Sequence, residues 1–161
     1  MHPRASELIE ILDLKPHPEG GYFREVFRSL HWVYPEDNRG RRTAITTIYF
    51  LLVDGGYSRW HQVNSDEVWH YYEGDPLELF WIDETIGRCN RYLLGDVGEG
   101  KFPVQVVPAG CWQAARTTGA YTLVGCTVGP GFEYEDFTLL SERADREAEI
   151  RRQFPELSRF V

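Results

Sequence analysis

Short runs of β-branched and aromatic residues alternate with Gly, Pro, Asn and Asp along most of the chain. Such runs between turn residues are typical of strands. No segment with helical periodicity interrupts them, so βαβ units and a dinucleotide-binding sheet are not expected. The pattern predicts an all-β sandwich or barrel. We expect strands over residues 22–28, 43–53, 67–72, 77–82, 91–94, 105–107 and 121–128.

The two ends of the chain carry a different pattern. Leu8, Ile9, Ile11 and Leu12 fall on one stripe at helical spacing after Ser6, which predicts a short helix over residues 6–13 that covers the core like a lid. Residues 141–154 are charged and helix-favouring before Pro155, which predicts a second helix on the outside. The barrel is expected over about residues 16–137, and the 161 residues match the size of one domain.

Charge and composition narrow the class of partner. The net charge is −8, with 25 acidic and 17 basic residues, so nucleic acid is not an expected partner. The basic cluster within residues 39–42 is interpreted as a solvated loop. No stretch approaches the ~18 apolar residues of a membrane span, and MHPRASELIE does not read as a secretory signal, so we expect no membrane partner and a cytoplasmic protein. Cys89, Cys111 and Cys126 form no CxxC pair and are interpreted as small buried residues.

Two motifs carry the candidate chemistry. In residues 55–74, five residues separate the first glycine from His61, three separate Val63 from Glu67, and six separate Glu67 from the last glycine. The second motif, PAGCWQ, ends at Gln113. Strand alternation places His61 and Val63 on one face, and Glu67 on a face of the next strand, so inward-facing side chains would share a pocket.

The first cupin motif has the pattern G(X)5HXH(X)3-4E(X)6G. The first motif of this chain matches that pattern at every position except Val63. The second resembles the start of the second cupin motif, PXGXXH. The blocks PHPEGGYFRE from Pro16, SDEVWH from Ser65, PAGCWQAA from Pro108 and GCTVGPGF from Gly125 resemble those of cupin family five, a domain of unknown function. This resemblance implies a double-stranded β-helix, or jelly-roll barrel, with a small-molecule pocket between two sheets and pairing as a homodimer.

The departures from the cupin pattern concern the metal ligands. Val63 and Gln113 stand where the second and third histidines of metal-binding cupins stand, so only His61, Glu67 and the weak oxygen donor Gln113 form a potential metal set. Such a set is poor for a transition metal, which prefers more imidazole and carboxylate ligands. A divalent metal is therefore disfavoured, and no organic cofactor is expected.

The residues around His61 and Glu67 suggest a pocket for acid–base chemistry. His61 is expected to be the base and Glu67 its partner, since both can move a proton near neutral pH. The alternative is that Glu67 only provides a hydrogen-bond partner for a buried His61.

Other side chains are candidates for binding the ligand. Flat walls of the pocket would come from Trp69, Tyr71 and Tyr49, or these residues belong to the core. Arg59 would bind a carboxylate or phosphate, or lie on the surface, and Gln113 would fix a hydroxyl or carbonyl. From the block most peculiar to this group we select Glu19, Tyr22 and Arg24 as further binding residues around one mouth of the barrel, with an ordinary turn as the alternative.

Three functions are compatible with these residues. The first is a metal-independent isomerase or epimerase on a sugar or sugar-nucleotide-like ligand, by analogy with deoxysugar epimerases on the cupin barrel. The second is a metal-dependent lyase or dioxygenase with an incomplete ligand set. The third is a non-catalytic module that binds a metabolite or carbohydrate.

Overall fold

The computed structural model describes residues 1–161 and contains two six-stranded sheets that face each other. In chain order the strands are β1 Lys15–Pro16, β2 Tyr22–Arg28, β3 Trp32–Val33, β4 Arg42–Thr43, β5 Thr46–Val53, β6 Tyr57–Val63, β7 Asp66–Gly74, β8 Leu77–Ile82, β9 Cys89–Leu94, β10 Lys101–Phe102, β11 Val104–Val107, β12 Trp112–Thr117, β13 Tyr121–Gly129 and β14 Phe137–Leu139. The first sheet has the order β1-β2-β5-β13-β7-β11, and the second has the order β10-β9-β8-β12-β6-β14. Strands β3 and β4 form a separate hairpin. The all-β, jelly-roll prediction is confirmed.

The space between the sheets holds the main core. Alternate residues of β5, Phe50 and Leu52, point inward and meet Trp69 of β7 and Val124 of β13. Leu79 of β8 packs against them from the opposite sheet. Each strand therefore presents one of its two faces to the core, as two packed sheets require.

Two helices cover outer faces of the sheets. Helix α1 is Pro3–Ile11 and packs Leu8 against Leu51 and Leu123 on the outside of the first sheet. The helix begins three residues before the predicted 6–13, because the N-cap is His2, whose ring accepts a hydrogen bond from the backbone N–H of Arg4. It also ends two residues earlier than predicted, with Leu12 as its C-cap.

Helix α2 is Ala144–Gln153, which shortens the predicted 141–154, and it packs on the outside of the second sheet. Short 3₁₀ helices occupy Tyr134–Asp136, Leu140–Glu142 and Pro155–Phe160. Neither α-helix reaches the length and apolar character needed to cross a bilayer.

Strand β6 contains a bulge that decides which of its residues face inward. His61 lies opposite Gln113 on β12, but Ser58, three positions earlier, lies opposite Ala115, only two positions later. The extra residue breaks the alternation of the strand. As a result Ser58 and His61 are buried on the same side, while Trp60 packs under the C-terminal helices.

The segment after β13 is fixed by an arginine pair. Arg42 is buried and donates two hydrogen bonds to Asp136, through Nε at 2.8 Å and Nη2 at 2.9 Å. Arg39 donates to the same carboxylate at 3.1 Å and to Ser65 at 3.0 Å. The prediction of a solvated basic loop was therefore wrong for Arg39 and Arg42, because both hold a buried carboxylate.

Candidate functional site

A cavity of about 140 Å³ opens between the two sheets. Its ionisable and aromatic inner wall consists of His17, Glu19, His61, Glu67, Cys126 and Phe137. Its mouth is formed by Glu25, Arg28, Phe132, Glu133 and Tyr134. The cavity thus combines buried titratable groups with aromatic side chains, which is the usual composition of a small-molecule site.

Glu19 reaches the cavity from the loop before β2. The Arg59 N–H donates to the Glu19 carbonyl at 2.7 Å, which ties this loop to β6. Gly20 follows with φ +110°, and a Cβ there would lie 2.5 Å from the Tyr57 carbonyl oxygen. Only glycine permits both this backbone conformation and this approach. The Glu-Gly-Gly segment therefore brings the Glu19 carboxyl against β6.

Glu19 and His61 form the central pair of the site. Glu19 Oε2 lies 3.2 Å from His61 Nε2, and Glu19 Oε1 accepts a hydrogen bond from Ser58 Oγ at 2.9 Å. All three side chains are buried. The aromatic ring of Phe137 stacks on the imidazole of His61 at a centroid distance of 5.4 Å. This stacking and the Ser58 contact hold both groups in fixed positions.

The backbone determines where the proton of His61 sits. Nδ1 lies 2.8 Å from the carbonyl oxygen of Arg59, which can only accept, so Nδ1 carries a proton. In the neutral imidazole Nε2 then has a free lone pair. Because Nε2 faces a carboxyl oxygen at 3.2 Å, one proton must lie between Glu19 and His61. The pair can therefore release or accept this proton.

Burial shifts the pKa values of these groups. Loss of solvent raises the pKa of Glu19 to about 8. Burial also lowers the pKa of His61, and the nearby charge of Glu67 partly opposes this effect. The same cause lowers the pKa of His17 to about 4, and the ring of His17 accepts a hydrogen bond from the Glu19 N–H at 3.2 Å. Both imidazoles are thus disfavoured as cations.

Glu67 is the second carboxyl of the cavity, and Gln113 and Trp69 fix its surroundings. The indole N–H of Trp69 can only donate, and it lies 3.0 Å from Gln113 Oε1. Gln113 Nε2 therefore faces Glu67 Oε2, to which it donates at 2.6 Å. Cys126 also lines the cavity wall. Burial nevertheless raises the pKa of Glu67 to about 7.

The structure brings together four of the side chains selected from the sequence. Glu19, His61 and Glu67 line the cavity, and Gln113 touches Glu67 from behind. Trp69 supports Gln113 and packs in the core, where it forms no wall of the cavity. Tyr71 also packs against the core, and its hydroxyl donates to the Gly74 carbonyl at 2.6 Å.

Four other selected residues lie away from the cavity. Arg59 has its guanidinium on the Pro18 carbonyl at the surface, because the bulge in β6 gives its inward place to Ser58. Tyr49 points to the outer face and contacts Tyr72, since its neighbours on β5 face the core.

Tyr22 and Arg24 also lie on the outer face of the first sheet. Tyr22 packs near helix α1, and Arg24 donates to the Leu12 carbonyl at 3.2 Å. Their alternate neighbours on β2, Phe23 and Glu25, line the cavity instead. The selection of Tyr22 and Arg24 as binding residues is corrected accordingly, because strand alternation sends the two pairs to opposite faces.

Sequence reasoning missed several residues of the site. His17 lies in the same block as Glu19, and its spacing of two from that carboxylate could have indicated it. Phe137 stacks on His61 and Ser58 binds Glu19, but neither belongs to a recognised motif. Cys126 is buried as expected, and it also reaches the cavity wall beside Glu67.

The donor groups do not fit a tightly held metal. Gln113 has its amide oxygen on Trp69 and its nitrogen toward Glu67, so it presents no free oxygen to the cavity. Val63 adds an apolar surface where the cupin pattern has a histidine. No three His, Cys, Asp or Glu side chains are grouped as metal ligands. The set His61, Glu67 and Gln113 therefore offers one imidazole and one carboxylate, fewer such donors than transition metals prefer.

The two facing sheets and the cavity between them define a jelly-roll protein with an interior site. The model of the family described as Cupin superfamily (DUF985) matches residues 6–140, so the chain belongs to this cupin family. This match confirms the resemblance seen in the motif blocks. The uncharacterized protein YML079W of Saccharomyces cerevisiae is 29% identical over 150 residues, covering 83% of this chain and 74% of that protein.

Solved structures give the same architecture. A hypothetical protein from Leishmania major is 35% identical, with a TM-score of 0.83 over 98% of this chain and 96% of that chain. Protein SO0799 from Shewanella oneidensis is 31% identical, with a TM-score of 0.81 over 98% and 94% of the two chains. Oxalate decarboxylase from Bacillus subtilis is 16% identical, with a TM-score of 0.60 over 93% of this chain and 37% of that one, a likeness of fold alone.

Proposed function

We propose that the protein is a metal-independent enzyme of the isomerase or epimerase type, which moves a proton next to the carbonyl group of a small sugar-like molecule. The observation that carries this proposal is the 3.2 Å approach of His61 Nε2 to Glu19 Oε2 in the cavity wall. A base held beside a carboxyl acid can take a proton from carbon and keep it within the site.

The second carboxyl completes the chemistry of an isomerase. Epimerisation can use one group that takes the proton from carbon and a second that returns a proton from the other side. The Glu19–His61 pair would serve as the first and Glu67 as the second, since the pKa of Glu67 is raised to about 7 by burial. General acid–base groups work best when their pKa lies near the working pH. The hydrogen bond from Gln113 holds Glu67 in place for this role.

The apolar part of the cavity supports the same function. Phe137 stacks on the imidazole, and Phe23, Phe132 and Val63 complete the wall. A site with little water favours proton transfer to substrate over exchange with solvent. Aromatic faces also suit the C–H faces of a sugar ring.

Solvent exchange at carbon tests this proposal directly. Chelator-treated protein would be incubated in D₂O with a panel of aldoses and ketoses, and deuterium incorporation next to the carbonyl followed by proton NMR. We expect incorporation with at least one compound, and a loss of about 10²-fold or more in His61→Asn and Glu19→Gln. Unchanged exchange in both variants, or no exchange with any compound, would contradict the proposal. Exchange that disappears on chelation and returns with added metal would instead favour the metal-dependent alternative.

A further inference from the structure

Arg28 lines the mouth of the cavity, and its positive charge is already paired with two carboxylates. Arg28 donates to both carboxylate oxygens of Glu25, at 3.0 and 2.9 Å, and to Glu133 at 2.7 Å. A fourth hydrogen bond runs to the Phe132 carbonyl at 3.0 Å. A guanidinium has five N–H donors, so Arg28 has one left for a ligand. Two carboxylates surround its single positive charge.

The inner wall adds two more carboxyls and no free cation. Glu19 and Glu67 face the cavity, and the imidazoles of His17 and His61 are engaged by the Glu19 backbone N–H and the Arg59 carbonyl. Arg39 and Arg42 do not line the cavity, and both are committed to Asp136. An anionic group that enters would therefore find no free cation to pair with.

The size of the cavity limits the ligand in a second way. Sites for drug-sized ligands usually measure roughly 300–1,000 Å³. At about 140 Å³ this cavity holds a single small ring or a short chain. A nucleotide or other large group would have to remain outside.

We infer that the cavity selects a neutral or cationic polyhydroxy compound of monosaccharide size, and rejects carboxylates and phosphates, because Glu25 and Glu133 neutralise the arginine that would bind them. This inference rests on the proposed function and names the substrate class of the same site. The carboxylate oxygens of Glu25 and Glu133 accept hydrogen bonds from hydroxyl or ammonium groups, whereas they repel anions.

The test compares three compounds that share one ring and differ in charge: D-glucose, D-glucosamine and D-glucuronate. Binding would be followed through the imidazole signals of His61 in protein with labelled histidine. We expect D-glucose and D-glucosamine to shift these signals with a Kd at least about ten-fold lower than that of D-glucuronate. Equal or tighter binding of D-glucuronate, or no shift with either of the other two compounds, would overturn the inference.

A matched pair of variants locates the cause. Glu133→Gln removes a partner of Arg28, whereas Glu135→Gln removes the same charge two residues away, at a side chain that is 83% exposed and does not line the cavity. We expect Glu133→Gln to lower the Kd of D-glucuronate, and Glu25→Gln combined with Glu133→Gln to lower it by about ten-fold, with Glu135→Gln unchanged. No gain in the double variant would contradict the inferred role of Glu25 and Glu133. Because the readout is binding, failure of proton transfer leaves this result unaffected.

Discussion

Glu19 and His61 come from separate parts of the sequence and meet with Oε2 and Nε2 3.2 Å apart, while the other nitrogen of the imidazole is held 2.8 Å from the Arg59 carbonyl. The same residue, Arg59, holds Glu19 through its own N–H at 2.7 Å. One peptide unit of β6 on either side of Arg59 therefore positions both members of the pair. The acid–base unit is built into the backbone of the barrel, which keeps it rigid.

The pH dependence of stability follows from the two buried carboxyls. The folded-state pKa values of Glu19 and Glu67 are raised to about 8 and about 7, so the folded protein binds more protons than the unfolded chain above the ordinary glutamate pKa of 4.5. The contribution of Glu19 and Glu67 to stability is fully present below pH 4.5. It is lost as the pH rises through their folded-state pKa values. The lowered pKa values of His17 and His61 act in the opposite direction below their ordinary value of 6.5.

We therefore expect the free energy of unfolding to fall between about pH 7 and pH 8, where the histidines of the unfolded chain have lost most of their protons and the carboxyls dominate. The slope is at most about 1.4 kcal/mol per pH unit for each carboxyl. Urea denaturation at several pH values would measure it. Glu67→Gln should flatten the curve, whereas Glu36→Gln, at an exposed position, should not. A stability that rises over this range would show that the pKa shifts have the wrong sign.

Phe137 should control the pKa of His61. Its ring stacks on the imidazole at 5.4 Å, so Phe137→Ala would admit water to a group whose pKa is lowered by burial. We expect the pKa of His61 to rise toward its ordinary value in an NMR titration. Phe102→Ala, at a ring that is 56% exposed and outside the cavity, serves as the control. A pKa that stays the same in both variants would mean that the stacked ring does not keep water from His61.

The Trp69–Gln113–Glu67 contacts should contribute to stability. Gln113→Leu leaves the indole N–H of Trp69 and the Glu67 carboxylate without their partner, both in buried positions. Unsatisfied buried groups cost about 1–3 kcal/mol each, so we expect a clear loss in the free energy of unfolding from urea denaturation. The pKa of Glu67 should rise further, since the lost hydrogen bond favours its charged form. Gln153→Leu, at an exposed position in α2, should have little effect, and equal stability of the two variants would contradict this account.

The outer face of the first sheet should pair with a second copy of the chain. Val26, Tyr72, Val104 and Val106 are about half exposed there, on β2, β7 and the edge strand β11. Exposed apolar strands of this kind are commonly covered by a partner. We expect a dimer mass in light scattering, and a shift toward monomer in Val106→Lys. A monomer mass that does not change with concentration would refute this prediction.

The sequence predicts the fold well because turn residues separate the strands. Tyr22–Arg28 and Leu77–Ile82 have the predicted bounds, and both are clear β-rich runs between turn signals. Strands β6 and β12 were not recognised as such runs, because polar residues such as Arg59, Gln62 and Gln113 interrupt their apolar pattern. His61 lies on β6 and Gln113 on β12, so two strands that carry residues of the site have an irregular apolar pattern.

The site was only partly predictable for reasons of strand geometry. On β2 and β5 both alternating sets contain apolar residues, so the pattern cannot tell that Phe23 and Phe50 face inward while Tyr22 and Tyr49 face outward. The bulge in β6 shifts the alternation, which placed Arg59 wrongly. Glu19 was found through its motif block, but its pairing with His61 depends on a loop whose path the sequence does not determine.

The state of the His61 ring tests the central claim most directly. Long-range proton–nitrogen NMR of the wild-type protein near neutral pH reports which nitrogen carries a proton. We expect a protonated Nδ1 that donates to the Arg59 carbonyl. We expect Nε2 either to accept the proton of Glu19 or to hold that proton, so the Nε2 signal should change in Glu19→Gln. A neutral ring with its proton on Nε2 and a bare Nδ1 would contradict the shared proton and, with it, the proposed acid–base role of the pair.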